Sequence, residues 1–343
     1  MQDNYQKVLE SIKKLPDQAK QAWEEVSKLD IHGQYKKAKS IVVCSMGGSG
    51  LATDLMLGVT KSSVPIILVQ DNILPGWADM DTLAFLSSYS GNTHEVLSFG
   101  AEALDRENNC LIASMTTGGA LKEFLNQNAP SSLKYFFDPL HNPSGQPRLG
   151  LGYNFIGQLA MFYKLGYVNT EPEDLDKQID CLYVAPTVWK ELEAETEDLA
   201  TKIQGKLPVI FGSEHLAANA HVLANQLNET SKTFAVWFEI PESNHHLLEG
   251  LKQKNAEIFP IFLDSPWYRP SNRRSTQITQ EIFKENGLNG YTYKAPESNN
   301  KLREVFQTII FSSLLSVKLS KLYGEDPISI PTIDYFKSQL EKE

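Results

Sequence analysis

The stretch VCSMGGSGLATDL, residues 43–55, decides how the chain is read. Ile41 to Cys44 is an apolar run long enough for a buried strand, and Leu51 to Leu57 carries helical spacing. Glycines lie between them. A strand that turns sharply into a helix points backbone N–H groups outward at the positive end of the helix dipole, which suits an anion. Three readings follow: a dinucleotide pyrophosphate, a smaller phosphate ester, or a tight turn that binds nothing.

Working outward, the same alternation recurs. VPIILVQD, TLAFLSSYS, NNCLIASM and LKYFFDP read as strands, while Thr93–Leu104 and GALKEFLNQN read as helices. Short apolar runs separated by helices imply parallel strands with right-handed crossovers. Residues 149–166 form an apolar helix able to cover the sheet. The acidic, proline-bearing VNTEPEDLDKQIDC is the expected boundary. Beyond it a polar helix at 186–204 leads to strand LPVIFGS, a helix at 216–227, strand TFAVWFE, loop IPESNHH and strand IFPIFLD. Two helices, in RRSTQITQEIFKENG and VFQTIIFSSLLSVKLSKLYG, close the pattern. The expected fold class is α/β: two tandem doubly wound parallel-sheet units, residues 1–168 and 169–343, with an N-terminal helix and a C-terminal helical tail.

A length of 343 residues accommodates two cores of ordinary size, and 41% hydrophobic with 22% charged residues is globular composition. No apolar run in the sequence reaches the roughly 18 residues that suggest a membrane span, so no membrane partner is expected. The charged, helix-periodic first 26 residues lack the apolar core of an export signal. Net charge is −10, from 42 acidic against 32 basic residues, without a basic cluster that would serve nucleic acid. An anionic ligand must therefore be held by local dipoles. Cys44 and Cys110 lie in apolar runs and Cys181 is a third, odd cysteine, which fits a reducing, cytoplasmic setting.

The nicotinamide reading has Gly48 and Gly50 opening the helix and Asp71 about twenty residues on, where a ribose-binding acid would sit. Thr53 replaces the third glycine of that fingerprint. A second loop favours the smaller ligand. SSYSGNTHEV, residues 87–96, also follows a strand and precedes a helix, presenting Ser88, Ser90 and Thr93 around Gly91. Neighbouring parallel strands deliver both loops to one carboxyl edge. With Ser49, these hydroxyls and N–H groups make a neutral cup for a phosphomonoester; the bland alternative is that Thr93 and Glu95 merely start a helix.

GGSG followed by SYSGNT resembles the sugar isomerase (SIS) domain. QPRLGLGY around Arg148, QLNET around Glu229, PESNHH around His245 and EDPISIPTIDYFK ending at Lys337 extend the likeness over nearly the whole chain. In that order they are similar to the bifunctional phosphoglucose/phosphomannose isomerase family, which has two SIS domains. The resemblance implies a sugar phosphate held by Gly48, Ser49, Ser88, Ser90 and Thr93. It implies Glu229 as the base moving a proton between C2 and C1; Glu242 is the alternative should a Glu229 variant keep its turnover. His245 and Lys337 would open the sugar ring, and Arg148 would bind substrate. It further implies a homodimer in which the histidine comes from the partner, with no metal and no cofactor. His246 stands where the family usually has asparagine, the following acid is displaced to Glu249, and His94 stands where an acid is common. His221 and Asn225 occupy the neighbourhood of basic residues often seen before the glutamate.

His245 and His246, flanked by Glu242 and Glu249, raise a zinc site, but adjacent loop side chains diverge where a tetrahedral ion needs convergence. His32, His141 and His215 read as ordinary surface or core residues. A non-catalytic sugar-phosphate sensor could dispense with Glu229 and Lys337, and residues 1–38 are too short and acidic for the DNA-binding module such regulators carry.

Overall fold

The computed structural model describes residues 1–105, 110–171, 174–253, 257–296 and 299–340. Asn108 and Asn109 of one expected strand, and Pro172 and Glu173 of the expected boundary, lie outside the described residues.

The N-terminal segment is two helices rather than one, α1 (Gln2–Lys13) and α2 (Leu15–Ser27). Pro16 sits in the first turn of α2, where its missing N–H costs nothing, but it could not have continued α1. Five parallel strands follow in the order β3-β1-β4-β5-β6: β1 (Ser40–Cys44), β3 (Ile66–Val69), β4 (Thr82–Ser87), β5 (Leu111–Thr116) and β6 (Leu133–Phe136). Between β1 and β3 lie α3 (Gly47–Val59) and the short β2 (Thr60–Ser62). Helices α4 (His94–Asp105) and α5 (Gly119–Asn128) cross one face. Alternate strand residues sort accordingly: Val42, Cys44, Ala84 and Leu86 meet α4 and α5, whereas Ile41, Val43, Leu83 and Phe85 meet α2, α3 and α6 (Leu151–Leu165). Strands buried on both faces need near-continuous apolar runs, which is why they were readable.

Strand β7 (Val168–Thr170) turns back to pair antiparallel with β2. The α7 turn (Leu175–Asp180) then packs on α2, with the Trp23 indole donating to Asp176 at 2.6 Å. After α8 (Pro186–Ile203) comes the second sheet, ordered β11-β10-β8-β9 and entirely parallel. Its strands are β8 (Leu207–Ser213), β9 (Val236–Ile240), β10 (Ile258–Asp264) and β11 (Tyr291–Lys294). The chain enters each sheet at an inner strand, places the next at one edge and the rest on the other side, three strands in the first sheet and two in the second. The two units thus share a topology without a sequence repeat. The expected doubly wound pair is what the chain forms. The four-residue β11 escaped the sequence reading; Tyr293 marks it, fully buried and stacked on Phe311 at 3.8 Å.

One face of the second sheet carries α10 (Pro270–Glu285), whose Phe283 packs against Phe211 and Phe262 of the strands. The other carries α9 (Ala217–Thr230) and α11 (Lys301–Tyr323). Helix α11 is long and apolar enough to cross a membrane, yet 83% of its apolar window is buried inside the fold, as a core helix. The core containing α3, α6, α9 and α11 is continuous between the two sheets. Finally α12 (Pro331–Leu340) buries none of its residues.

Candidate active site

The first sheet changes winding direction at β1 and β4, and ligands of open α/β sheets bind outside the carboxyl ends of strands at such a switch point. Both loops singled out in the sequence open there. Helix α3 begins at Gly47, with no side chain capping it, so the N–H groups of its first turn remain for a ligand. The Ser49 hydroxyl accepts from Tyr89 N at 3.2 Å, which ties the first loop to the second. In the second loop Ser88 Oγ and Thr93 Oγ1 lie 2.8 Å apart, and Ser88 Oγ also accepts from Gly91 N at 3.1 Å. Ser90 is exposed and its hydroxyl accepts from Asn92 N at 3.3 Å. The two loops are therefore joined, and the buried hydroxyls of Ser49 and Ser88 brace them.

A polar layer beneath the cup was missed in the sequence. Gln158 Nε2 donates to Ser49 O at 3.0 Å and Ser87 Oγ at 3.1 Å, while its Oε1 accepts from Thr53 at 2.7 Å. Asn154 Nδ2 reaches Ser49 Oγ at 3.4 Å. The signal was present: two amides four residues apart, hence on one helix face, within an otherwise apolar run.

Helices α3 and α9 pack in opposite directions. At one end the Gly48 backbone lies against the Arg148 backbone; at the other, Gly58 lies against His215, just before α9. The amino end of α3 thus meets the carboxyl end of α9, where Glu229 stands with its side chain 20% exposed. Arg148, only 2% exposed, donates from Nη1 to Glu229 Oε2 at 3.2 Å. Burial lowers the Arg148 pKa and the Glu229 charge opposes that shift. Cup and carboxylate are thereby neighbours.

His245 lies elsewhere. It follows β9, at the carboxyl edge of the second sheet, and is exposed. Helix α9 starts at that edge and must return to the amino edge before β9 can begin, so Glu229 sits at the opposite edge. Five strand residues span on the order of 16 Å. One chain does not bring these two residues together. Lys337 is exposed on α12. His246 Nε2 lies 3.2 Å from Glu242 Oε2, and among the described residues no group of three or more His, Cys, Asp or Glu side chains converges on a metal position. Asp71, exposed at the end of β3, accepts from Asn72 N at 2.7 Å.

The face shared by α3, α9 and β9 holds further groups the sequence reading did not assemble. His221 stacks on Trp237, centroids 4.6 Å apart, and burial lowers its pKa. Burial, with the Glu239 carboxylate adding to it, pushes Asp54 up to about 6. His215, expected to be ordinary, is fully buried with Nε2 at 2.6 Å from Glu304 Oε2, and Ser265 Oγ donates to the same oxygen at 2.6 Å.

The model of the bacterial phospho-glucose isomerase C-terminal SIS domain matches residues 192–340. A bifunctional phosphoglucose/phosphomannose isomerase of Caldicellulosiruptor bescii is 29% identical over 97% of this chain and 98% of its own length. One of Aquifex aeolicus is 29% identical over 93% and 94% respectively. The chain is similar to these isomerases over nearly its whole length. The solved tagatose-6-phosphate ketose/aldose isomerase of Escherichia coli superposes with a TM-score of 0.72 over 94% of this chain and 95% of its own. At 14% identity that likeness speaks for the fold alone, and the fold is the doubly wound α/β arrangement of the SIS proteins. The Gly48 turn, Arg148 and Glu229 are neighbours within one chain.

Proposed function

We propose that the protein is an aldose–ketose isomerase that interconverts glucose 6-phosphate, and mannose 6-phosphate, with fructose 6-phosphate. The phosphate sits in the cup of Gly48, Ser49, Ser88, Ser90 and Thr93, held by hydroxyls and the α3 terminus. Anchoring the ester fixes the carbon chain relative to the base, which converts proton transfer into a positioned, unimolecular step. Glu229 takes the C2 proton as the C1 carbonyl gains one, forming a cis-enediol. It then delivers the carried proton to C1 as the O2 hydroxyl loses its own and becomes the ketone. General-base catalysis of this kind contributes about 10²–10⁴-fold. Glucose and mannose phosphates differ at C2 and share that enediol, so both are substrates.

Lys337 and His245 serve ring opening, moving a proton between the anomeric hydroxyl and the ring oxygen. The remoteness of His245 from Glu229 supports a homodimer in which a second copy supplies the histidine. Helix α12, with Tyr335 and Phe336 at 67% and 60% exposure, also lacks a partner surface within the described chain. The working division of labour keeps residues 1–168 for the cup and 169–343 for Glu229, His245 and Lys337. A cytoplasmic location fits cysteines that form no disulfide among the described residues, of which Cys44 and Cys110 are buried.

The observation that carries this reading is the opposed packing of α3 and α9, which sets the Glu229 carboxylate beside the Arg148–Gly48 contact. The test is to treat the purified protein with chelator, supply fructose 6-phosphate, and assay both aldose phosphates. Formation of the two without added nucleotide is expected; absence of both overturns the reading.

A further inference from the structure

We infer that Gln158, on the helix that covers the first sheet, decides which of the two like units takes the phosphate ester. It is a positioning residue: its neutral amide ties the two phosphate loops together at their roots, and an acid in its place closes the site to a dianion. The inference rests on the isomerase reading for the phosphate site. It goes beyond that reading in saying why one unit, and not the other, holds that site.

Gln158 is fully buried in α6. Its Nε2 donates at 3.0 Å to the carbonyl of Ser49, in the first turn of α3, and at 3.1 Å to the hydroxyl of Ser87, the last residue of β4. Its Oε1 accepts from Thr53, one turn further along α3, at 2.7 Å. One amide therefore fixes the start of α3 against the end of β4. The first loop ends at one of those points and the second begins at the other. A buried polar group is less favourable than an apolar side chain of the same volume, so packing alone gives no reason for an amide here.

The second unit repeats the arrangement with the opposite chemistry. Strands β8 and β10 hold the places of β1 and β4, and helices α9 and α11 those of α3 and α6. The turns after β1 and β8 both pass through a left-handed residue, Gly47 at φ +53° and Glu214 at φ +47°. Glu304, fully buried in α11, reaches the same two points as Gln158 does. Its Oε2 lies 2.6 Å from Nε2 of His215, in the turn after β8, and accepts at 2.6 Å from Ser265, which directly follows β10. A carboxylate only accepts, so it draws the Ser265 proton inward. The Gln158 amide donates to Ser87 instead, and that hydroxyl keeps its proton. The buried ring of His215 fills the second turn, where the first has Gly48. A phosphate dianion needs donors and no acid behind them, and only the first unit offers that.

The experiment uses the full-length protein with Q158E, Q158M and E304Q variants. Calorimetry measures the binding of sorbitol 6-phosphate, an acyclic ester that cannot isomerise, from about pH 6 to about pH 8.5, the range over which a buried carboxyl takes up its proton. Q158E keeps the shape and sets an acid beneath the loops. At the alkaline end it should bind about tenfold more weakly than wild type, and the gap should close towards the acid end as the buried carboxyl is protonated. Asp54, pushed up to about 6, titrates in both proteins, and Arg148 beside Gly48 stays charged, so neither accounts for a difference between them. Q158M conserves volume and loses the ties: affinity should fall about tenfold at every pH, with no loss of thermal stability. E304Q should bind as wild type does. A Q158E gap that is the same at every pH overturns the inference, as does a Q158M protein with wild-type affinity or an E304Q protein with weakened affinity. Should Q158E not fold, Q158M and E304Q still decide. Wild-type protein that binds the ester but turns over neither sugar would instead defeat the isomerase reading and leave this inference standing.

Discussion

Gly91 and Gly118 touch: a Cβ added at 91 would lie 1.8 Å from the Gly118 carbonyl oxygen. Gly91 also has φ of +71°, and its carbonyl accepts from Leu121 N at 2.8 Å, so the third loop of the sheet locks the second. Gly91→Ala is strained and crowded at once, and the loop must move. The expected loss is about 1–3 kcal/mol of stability. Displacing the cup by an ångström should lower kcat/KM about a hundredfold. Thermal unfolding and fructose 6-phosphate kinetics check both figures; an alanine variant with wild-type kinetics would remove this loop from the phosphate site.

Glu229→Gln keeps an oxygen for the Arg148 contact and removes the base. Solvent proton exchange at C1 and C2 should fall about 10²–10⁴-fold, with sorbitol 6-phosphate affinity unchanged. Deuterium incorporation followed by NMR reads the first quantity and calorimetry the second. Retained exchange would remove Glu229 from that role.

The two sheets and the turns that follow their first strands were legible because their determinants are local. Runs such as Ile41–Cys44 are apolar on both faces, and glycine–serine turns follow them directly. The four-residue β11 and the β2–β7 pair were not legible, since YTYK, TKS and VNT carry no apolar run and pair with partners distant in sequence. Glu229 was found by resemblance; a helix-end glutamate has no local mark of catalysis. The hydrogen bonds of Arg148 were invisible for a related reason, because Gln146, Glu229 and Ile328 converge only after α3 and α9 pack. Polar Asn154 and Gln158 inside an apolar helix were readable in principle and were passed over.

Asp54 supplies a pH prediction. Burial first, then Glu239, raises its pKa from 3.8 to about 6. Between those values the folded protein holds a proton that the unfolded chain has lost, so stability rises as pH falls through this window. The cost of the buried charge is fully present above about pH 6 and vanishes below about 4. Asp54→Asn should therefore stabilise the protein at pH 7.5 by about 1–2 kcal/mol, allowing for solvent screening of a half-buried group. At pH 4 the two proteins should unfold alike. Denaturant unfolding across that range decides it, and a gain that persists at pH 4 would exclude the carboxylate charge as its cause.

The separation of Glu229 from His245 gives the last prediction. If each site takes its histidine from a second copy, Glu229→Gln and His245→Ala impair different contributors to the same site. In a mixed dimer one site combines both defects, while the other combines the intact glutamate of one chain with the intact histidine of its partner. Equal mixing by unfolding and refolding makes half the dimers mixed, with one good site in two, so activity should return to about a quarter of wild type. Either variant refolded alone should remain near its own residual rate. Turnover of fructose 6-phosphate before and after mixing measures it. Activity no greater than the mean of the two parents would mean that glutamate and histidine serve the same chain, and α9 and β9 would then have to rearrange to bring them together.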